Sequence, residues 1–340
     1  MDPTHPPHPE SRVSDASLAA HAPHLIESAT AALGSGTVFT RVRRLRGGTK
    51  KGVFRLTSPC GASVVAYLWS ARENHWPARE REEDPGRTPF GHADGVDLFT
   101  TAVEHLERAG VRVPRVYLVQ RAHPGLGGDV AIVEDVPGAT LEELIAQGGR
   151  ERVVGVLDRL RTALEAMAAR TRAAPGRVGH PLAVGRGCVD VVWERARADL
   201  EEGARRRPEL ARVRDRAARL LDASASRVEP RERHGLVHGE LGPDHVLVDA
   251  SGAPVLIDVE GLMFFDVEWE HAFLSLRFGA WYGRLRTPGL DPFRSELYML
   301  AHRLSLVAGP LWLLDGDTPD RGVMLDIVEH NLAWMVRRVG

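Results

Sequence analysis

Lysine is almost absent from this chain of 340 residues, since only Lys50 and Lys51 occur among its 44 basic residues. All other basic residues are arginines, so a general bias toward arginine accounts for most of the scarcity. The adjacent pair is either a chance remnant of that bias or is kept for a function. A single sequence leaves both interpretations open.

Cysteine is equally scarce. Cys60 and Cys188 are far apart and form neither a Cys-x-x-Cys motif nor a Cys/His pattern with metal-ligand spacing. The sequence therefore gives no indication of a disulfide framework or a structural zinc site. This usage fits a reducing compartment, and we expect a cytoplasmic protein.

Long apolar segments are also missing. The longest apolar run, residues 304–314, is interrupted by Gly309 and Pro310 and is shorter than the about 20 residues that cross a bilayer. Residues 1–15 are rich in proline and histidine and lack the basic and apolar segments of a secretory signal. We predict a disordered tail there and no membrane partner.

Neither sign of charge predominates, because the formal net charge is −2. There is no overall positive field that would attract nucleic acid. The arginine-rich stretch of residues 195–233 also contains many acidic residues, so we interpret it as a solvated helix face. A helical protein associated with nucleic acid remains a distant alternative.

The pattern of apolar residues predicts an α+β protein with two lobes. The first part of the chain is predicted to hold two helices and five short strands. In chain order these elements cover residues 17–33, 37–45, 52–56, 62–69, 96–109, 116–120 and 130–134. Beyond residue 141 the pattern is mainly helical, apart from a β-hairpin over 246–257. We predict a small antiparallel-sheet lobe over 16–136 and a larger, mainly helical lobe over 137–340.

The most specific motif surrounds this hairpin. It reads His238-Gly-Glu240-Leu-Gly-Pro-Asp244-His245 and continues beyond the hairpin to Asp258. A hairpin returns the chain, so carboxylates on its two flanks converge on one cleft where cations can bind. The alternative is a purely structural hairpin with polar turns.

This block resembles the catalytic block of aminoglycoside phosphotransferases and choline kinases, written His-Gly-Asp, four residues, Asn, and a hairpin leading to Asp. The resemblance implies a protein-kinase-like fold and phosphoryl transfer from ATP or GTP to a small-molecule hydroxyl. It makes Glu240 the catalytic base, with His238 in the same catalytic motif. It places Asp258 and His245 at the metal positions, for Mg²⁺ or, as a second candidate, Mn²⁺.

Two residues of this block differ from the family pattern. Glu240 adds one methylene to the expected aspartate, and a displacement of about 1 Å can cost on the order of 100-fold in rate. His245 replaces the expected asparagine, and imidazole suits softer metals than magnesium, so one metal site is altered or lost unless Asp244 supplies an oxygen. The alternative function is a pseudokinase-like protein that binds a nucleotide or other ligand with little or no phosphotransfer.

A glycine-rich turn lies between the first two predicted strands. Its small residues let the backbone approach phosphates, and the lysine pair would face the same anion. The predicted nucleotide-binding residues are Gly47, Gly48, Thr49, Lys50, Lys51 and Gly52. The third strand, residues 63–69, lacks the lysine with which kinase-like proteins hold the phosphates. We hypothesise that Lys50 or Lys51 takes its place, whereas the bare motif is also that of an ordinary hairpin.

The connection between the lobes, residues 130–141, resembles the hinge of the same family. The resemblance implies that its backbone binds the purine, and we predict contacts at Glu134 and Val136. A simple strand-to-helix connection fits the same letters.

An acidic stretch follows the hairpin motif. Residues 235–276 contain eight acidic residues and no lysine or arginine, which predicts a cleft that favours magnesium and a cationic acceptor. We predict Asp266, Glu268 and Glu270 as substrate-binding residues, or alternatively as helix caps or partners of distant arginines. The expected partner is a small molecule such as an amino sugar or a choline-like compound, which makes antibiotic resistance a candidate role. We expect a monomer or homodimer.

Overall fold

The computed structural model describes residues 15–34, 36–45, 48–76, 84, 86–91, 95–316, 318 and 321–340. Most of the predicted tail, residues 1–14, lies outside these ranges. The chain divides into two compact units. One unit contains residues 1–74 and 115–135, and the other contains residues 75–114 and 136–340. The predicted lobe boundary lies one residue from this division, but residues 75–114, predicted in the first lobe, belong to the second unit.

The first unit is an antiparallel sheet with one helix. The helix α1 spans Asp15–Leu33. The strands are β1 Arg41–Arg44, β2 Gly52–Thr57, β3 Ser63–Ser70, β4 Val116–His123 and β5 Gly128–Glu134, in the spatial order β1-β2-β3-β5-β4. All neighbouring pairs are antiparallel, which confirms the predicted five-stranded sheet.

Helix α1 covers one face of this sheet. Its buried residues Leu25 and Ala29 pack against Phe54, Leu56 and Ile132 from the strands. The alternation of side chains along each strand directs every second residue to this apolar layer and the others to the opposite face. The sheet therefore has one helix-covered face and one face that α1 does not cover.

The second unit is mainly helical, as predicted. Its helices are α2 Val96–Arg108, α3 Leu141–Gln147, α4 Arg150–Ala168, α5 Cys188–Arg206, α6 Pro208–Ala211, α7 Arg214–Ala225, α8 Val267–Phe278, α9 Pro292–Leu313 and α10 Arg321–Val339. Their core includes Leu200, Leu221, Leu304 and Val328, all completely buried. Among the described helices, none has the length and apolar character needed to span a membrane.

Short strands in the second unit position the motif residues. The predicted hairpin is present as β10 Val246–Val248 and β11 Pro254–Leu256, paired antiparallel. A second sheet has the order β6-β9-β12-β7-β8. Its strands are β6 Thr171–Arg172, β7 Gly176–Arg177, β8 His180–Pro181, β9 His234–Val237 and β12 Met263–Phe265. Strand β9 leads into the His238 motif, and β12 leads into α8.

The connection that follows β5 is fastened to the hairpin. The Val248 backbone N–H donates to the Ala139 carbonyl oxygen at 3.0 Å. Gly138 has a φ of 146°, and a Cβ there would lie 2.0 Å from the Val248 carbonyl oxygen. Only glycine fits so close to β10. Thr140 then caps α3 in a capping box with Glu143, so this helix begins at a fixed point beside the hairpin.

Candidate functional site

Two loops meet at Ile257. The first, called the motif loop (residues 238–245), follows β9, and the second carries Asp258 after β11. Nε2 of His238 donates to the Ile257 carbonyl oxygen at 3.0 Å. The Ile257 backbone N–H donates to the His245 carbonyl oxygen at 3.1 Å. Both backbone polar groups of one residue are therefore held by the motif loop, which fixes the position of the next residue, Asp258.

Asp258 has an unusual backbone conformation. Its φ is 59° and its ψ 47°, in the left-handed region, which costs a non-glycine residue on the order of 1 kcal/mol or more. The preceding strand β11 is buried, yet the Asp258 side chain is 44% exposed. A carboxylate held outward in a strained backbone position indicates a ligand or metal contact.

His245 places its Nε2 close to two carboxylates. Its Nδ1 lies 2.9 Å from the Glu240 carbonyl oxygen. A carbonyl oxygen can only accept, so Nδ1 carries the hydrogen and Nε2 of the neutral ring is an acceptor. Nε2 lies 3.8 Å from Oδ2 of Asp258 and 3.7 Å from Oδ2 of Asp244. Metal-binding histidines commonly donate their other ring N–H to a carbonyl in this way, so His245 and Asp258 fit a divalent cation.

Asp244 has a second partner. Nη2 of Arg277 donates to Oδ1 of Asp244 at 2.8 Å. One of the two carboxylate oxygens of Asp244 is therefore paired with a guanidinium group. The other oxygen is the one nearer to His245. Asp244 therefore adds less negative charge to this region than the sequence indicates.

His238 connects the two loops that carry Glu240 and Asp258. Burial and, to a smaller extent, the neighbouring His245 lower the pKa of His238 to about 4, while the negative charges of Asp258 and Glu240 oppose this. Both carboxylates are therefore within electrostatic reach of one imidazole, and the Glu240 side chain is exposed. His238 itself is only 1% exposed and neutral at pH 7, so we interpret it as a positioning residue and not as a proton carrier.

The sequence matches the phosphotransferase enzyme family, abbreviated APH, over residues 31–290. The chain belongs to this family. A search of curated proteins gives no match. The family supports the prediction of a small-molecule phosphotransferase made from the motif residues.

Solved structures of similar fold include aminoglycoside phosphotransferase APH(4)-Ia in a ternary complex with ADP and hygromycin B. That structure is 20% identical, with a TM-score of 0.62, and the match covers 93% of this chain and 97% of that one. Spectinomycin phosphotransferase APH(9)-Ia, in complex with ADP and spectinomycin, is 11% identical, with a TM-score of 0.62 and coverage of 93% and 98%. A putative fructosamine-3-kinase from Thermobifida fusca is 16% identical, with a TM-score of 0.52 and coverage of 91% and 98%. These likenesses confirm the predicted two-lobed, protein-kinase-like α+β fold.

In this member of the APH family, the Glu270 side chain binds the backbone of the motif loop. Its Oε2 accepts a hydrogen bond from the Gly239 backbone N–H at 2.8 Å. Burial raises the pKa of Glu270 to about 7, although backbone N–H groups of Gly239, His238 and Leu241 act in the opposite direction. The charge of Glu240 raises this pKa further. Glu270 was predicted to bind substrate, but at 3% exposure its visible role is to hold the loop that carries Glu240.

Asp266 and Glu268, also predicted to bind substrate, are both 0% exposed. Arg231 binds Glu268 through two hydrogen bonds of 2.8 and 2.9 Å. Asp266 accepts from Arg294 and from the Tyr298 hydroxyl. Removing one partner of a buried ion pair costs about 3–5 kcal/mol, so neither carboxylate can turn to a ligand without a large loss of stability. The contacts of Glu268 match the alternative of pairing with a distant arginine.

A buried cluster near Asp266 has the composition of a metal site. Among the described residues, Cys188, His234 and Asp266 place ligand atoms within 4.8 Å of one another. Burial raises the pKa of the Cys188 thiol well above its usual value, so it keeps its proton, and Arg294 and Arg231 already neutralise Asp266. A further dication beside two guanidinium groups is unfavourable. We interpret the cluster as a structural hydrogen-bond network.

The predicted phosphate-binding turn is described except for Gly47, which lies outside the described residues. Gly48 has a φ of 83°, and a Cβ there would lie 2.5 Å from the Lys51 carbonyl oxygen, so this tight turn requires glycine. The turn closes with a hydrogen bond of 2.8 Å from the Leu45 N–H to the Val53 carbonyl oxygen. Its remaining predicted members, Thr49, Lys50 and Gly52, lead into or begin β2.

The predicted hinge contacts lie in different units. The Glu134 backbone N–H donates to the Arg115 carbonyl oxygen at 2.8 Å, and its carboxylate accepts from the Arg115 N–H at 3.0 Å. Val136 begins the hinge segment of the second unit and is buried. Since the Glu134 N–H already has a protein partner, its contact with a purine stays a prediction.

Sequence reasoning missed the arginines that pair with three residues of the acidic stretch. Arg231, Arg277 and Arg294 all lie outside residues 235–276, at a sequence distance that no local motif covers. The sequence around these arginines contains both signs of charge and does not show which acidic residue each arginine binds. It supported only the general alternative that some acidic residues pair with distant arginines. The pairing of Asp244, Glu268 and Asp266 with these arginines lowers the negative charge expected of the cleft, and the preference for a cationic acceptor stays a prediction.

The raised pKa of Glu270 makes stability depend on pH. A carboxyl group whose folded pKa of about 7 exceeds its unfolded value contributes stability at low pH that is lost as the pH rises from about 4.5 to 7. Glu270→Gln removes this titration. We expect the free energy of unfolding of the variant, relative to that of wild type, to increase by on the order of 3 kcal/mol from pH 5 to pH 8. Urea unfolding at both pH values measures this difference.

Glu142→Gln provides the matched control, because Glu142 is an exposed glutamate in the first turn of α3. Its stability relative to wild type should be the same at both pH values. A constant difference between Glu270→Gln and wild type across this range would contradict the assignment.

Proposed function

We propose that the chain transfers the terminal phosphoryl group of ATP or GTP to a hydroxyl group of a small molecule. The observation that carries this proposal is that His245 contacts both the Glu240 carbonyl oxygen, at 2.9 Å, and the Asp258 carboxylate, at 3.8 Å, in two loops that bind each other at Ile257. Membership of the phosphotransferase enzyme family supports the same class of reaction. Positioning and electrostatic stabilisation are the main requirements of phosphoryl transfer, and two fixed loops meet them.

Glu240 is the proposed base. Its backbone carbonyl is held by His245 Nδ1, while its carboxylate is exposed and can meet an acceptor. The acceptor oxygen forms a bond to the γ-phosphorus as the bond from that phosphorus to the β–γ bridging oxygen breaks. The hydroxyl proton passes to the Glu240 carboxylate, and the nucleoside diphosphate leaves.

Asp258 and His245 are the proposed metal ligands. A divalent cation bound there would neutralise charge on the nucleotide phosphates. Asp258 supplies a carboxylate oxygen, which both Mg²⁺ and Mn²⁺ accept, whereas the Nε2 lone pair of His245 favours Mn²⁺. One carboxylate and one imidazole leave further coordination positions for phosphate oxygens and water.

The acceptor is proposed as a small molecule with a free hydroxyl group. The solved relatives in complex with hygromycin B and spectinomycin support antibiotics of this chemical kind as the first candidates. A strong preference for cations has less support, because Asp266, Glu268 and Glu270 are buried in contacts within the chain. We propose that recognition uses other residues.

A second candidate function is pseudokinase-like binding of a nucleotide or another ligand without phosphoryl transfer. It is favoured by Glu240 and His245 in place of the family's aspartate and asparagine, and by the absence of lysine from β3. The two candidates differ in turnover and agree in nucleotide binding.

The reaction is tested by acceptor-dependent release of nucleoside diphosphate. ATP and GTP are each tested with aminoglycosides, peptide antibiotics and amino alcohols, in Mg²⁺ and in Mn²⁺. We expect turnover with at least one acceptor class and a loss of about 10²- to 10⁴-fold in kcat for Glu240→Gln, with nucleotide affinity retained. Glu142→Gln should keep full activity.

Nucleotide binding without turnover for every acceptor would favour the second candidate. Neither binding nor turnover would contradict both.

The metal preference is tested by replacing His245 with the family's asparagine. Mn²⁺ binding in the presence of ADP is measured by the loss of the EPR signal of free Mn²⁺, with Mg²⁺ as competitor. We expect His245→Asn to weaken Mn²⁺ binding by at least about 10-fold and to shift the Mn²⁺/Mg²⁺ preference toward Mg²⁺. His330→Asn, at an exposed histidine of α10, is the control. An unchanged ratio of the two affinities would remove His245 from the metal site.

A further inference from the structure

The third strand presents aromatic side chains where kinase-like proteins carry a lysine. On β3, Val65, Tyr67 and Trp69 alternate with residues that face α1. Register pairs Tyr67 with Val53 of β2 and with Ala131 of β5. These residues therefore share the sheet face that α1 does not cover. No basic residue of β3 contributes a charge to this face.

Lys51 brings an ammonium group to the same face from the turn that precedes the neighbouring strand β2. It directly precedes Gly52, which pairs with Leu68. Its Nζ lies 4.9 Å from the centroid of the Tyr67 ring and 6.0 Å from that of the Trp69 ring. Both distances are within the range of cation–π attraction. The charge of Lys51 is thus held directly over β3.

The backbone of Lys51 is as firmly placed as its side chain. Its carbonyl oxygen lies where a Cβ on Gly48 would approach to 2.5 Å, so the turn is closed tightly around it. Lys51 is 5% exposed, whereas Lys50 has intermediate exposure in the bend before it. Of the two lysines, Lys51 therefore combines a fixed backbone, a side chain that is almost completely buried and a defined position of the ammonium group.

We propose that Lys51, and not Lys50, is the phosphate-binding lysine of this chain, acting from the turn before β2 in place of the missing lysine of β3. The inference rests on the proposed nucleotide-dependent function. A lysine on β3 would position its ammonium group through its own alkyl chain. Here the aromatic rings of Tyr67 and Trp69 position the ammonium group of Lys51 by cation–π attraction. An ammonium group is a compact point charge that binds phosphate without a fixed fork geometry. This accounts for a lysine instead of an arginine at position 51.

The test separates phosphate recognition from folding. Lys51→Met keeps an unbranched stem against the two rings and removes the charge, and Lys50→Met is the matched control at the adjacent residue. Isothermal titration measures binding of the nucleoside triphosphate that wild type binds more tightly, ATP or GTP, and of the corresponding nucleoside without phosphates. We expect Lys51→Met to lose about 10- to 100-fold in triphosphate affinity and to keep its nucleoside affinity. Lys50→Met should retain both affinities.

A third variant adds Tyr67→Lys to Lys51→Met and returns an ammonium group to β3. Recovery of triphosphate affinity in this double variant is expected, because the charge returns to the same sheet face. Equal triphosphate affinity in wild type and Lys51→Met would overturn the inference while leaving the proposed function intact. A parallel loss of nucleoside and triphosphate affinity would assign Lys51 a structural role and also overturn it. If wild type bound no nucleotide, the proposed function and the inference would both fail.

Discussion

The locking of two loops at Ile257 is the constraint on which the site depends. His238 and His245 occupy the carbonyl oxygen and the N–H of this one residue, so the motif loop and Asp258 cannot move independently. Glu270 fixes the other side of the motif loop through the Gly239 N–H. The two carboxylates proposed for chemistry therefore have their separation set by backbone hydrogen bonds.

The five acidic residues predicted for the site in the second unit divide into two groups by burial. Glu240 and Asp258 are exposed, whereas Asp266, Glu268 and Glu270 are almost completely buried. The buried carboxylates bind arginines and backbone groups, because an unpaired charge inside a protein is very costly. They lie at the start of α8, and Glu270 among them holds the motif loop that carries Glu240. Sequence position alone does not distinguish the two groups.

The parts of the fold that follow from local pattern were predictable. Two short apolar runs joined by the turn at residues 249–252 predict a hairpin, and β10 lies at the predicted residues. Contacts between distant residues were not predictable in this way. Arg231 and Arg294 reach Glu268 and Asp266 only through the packing of the helical unit. The position of Lys51 over Tyr67 likewise depends on how β2 and β3 pair, and this register cannot be read from the sequence of either strand alone.

The central claim is that Glu240 and Asp258 act on one metal-bound phosphate. It is tested most directly by a crystal structure of the wild-type chain with Mn²⁺ and a non-hydrolysable triphosphate, using anomalous scattering from manganese. The account predicts a manganese peak bound by Asp258 and His245, with the γ-phosphate between the ion and the Glu240 carboxylate. A triphosphate whose γ-phosphate lies away from Asp258, or a manganese peak with no contact to this residue, would contradict it.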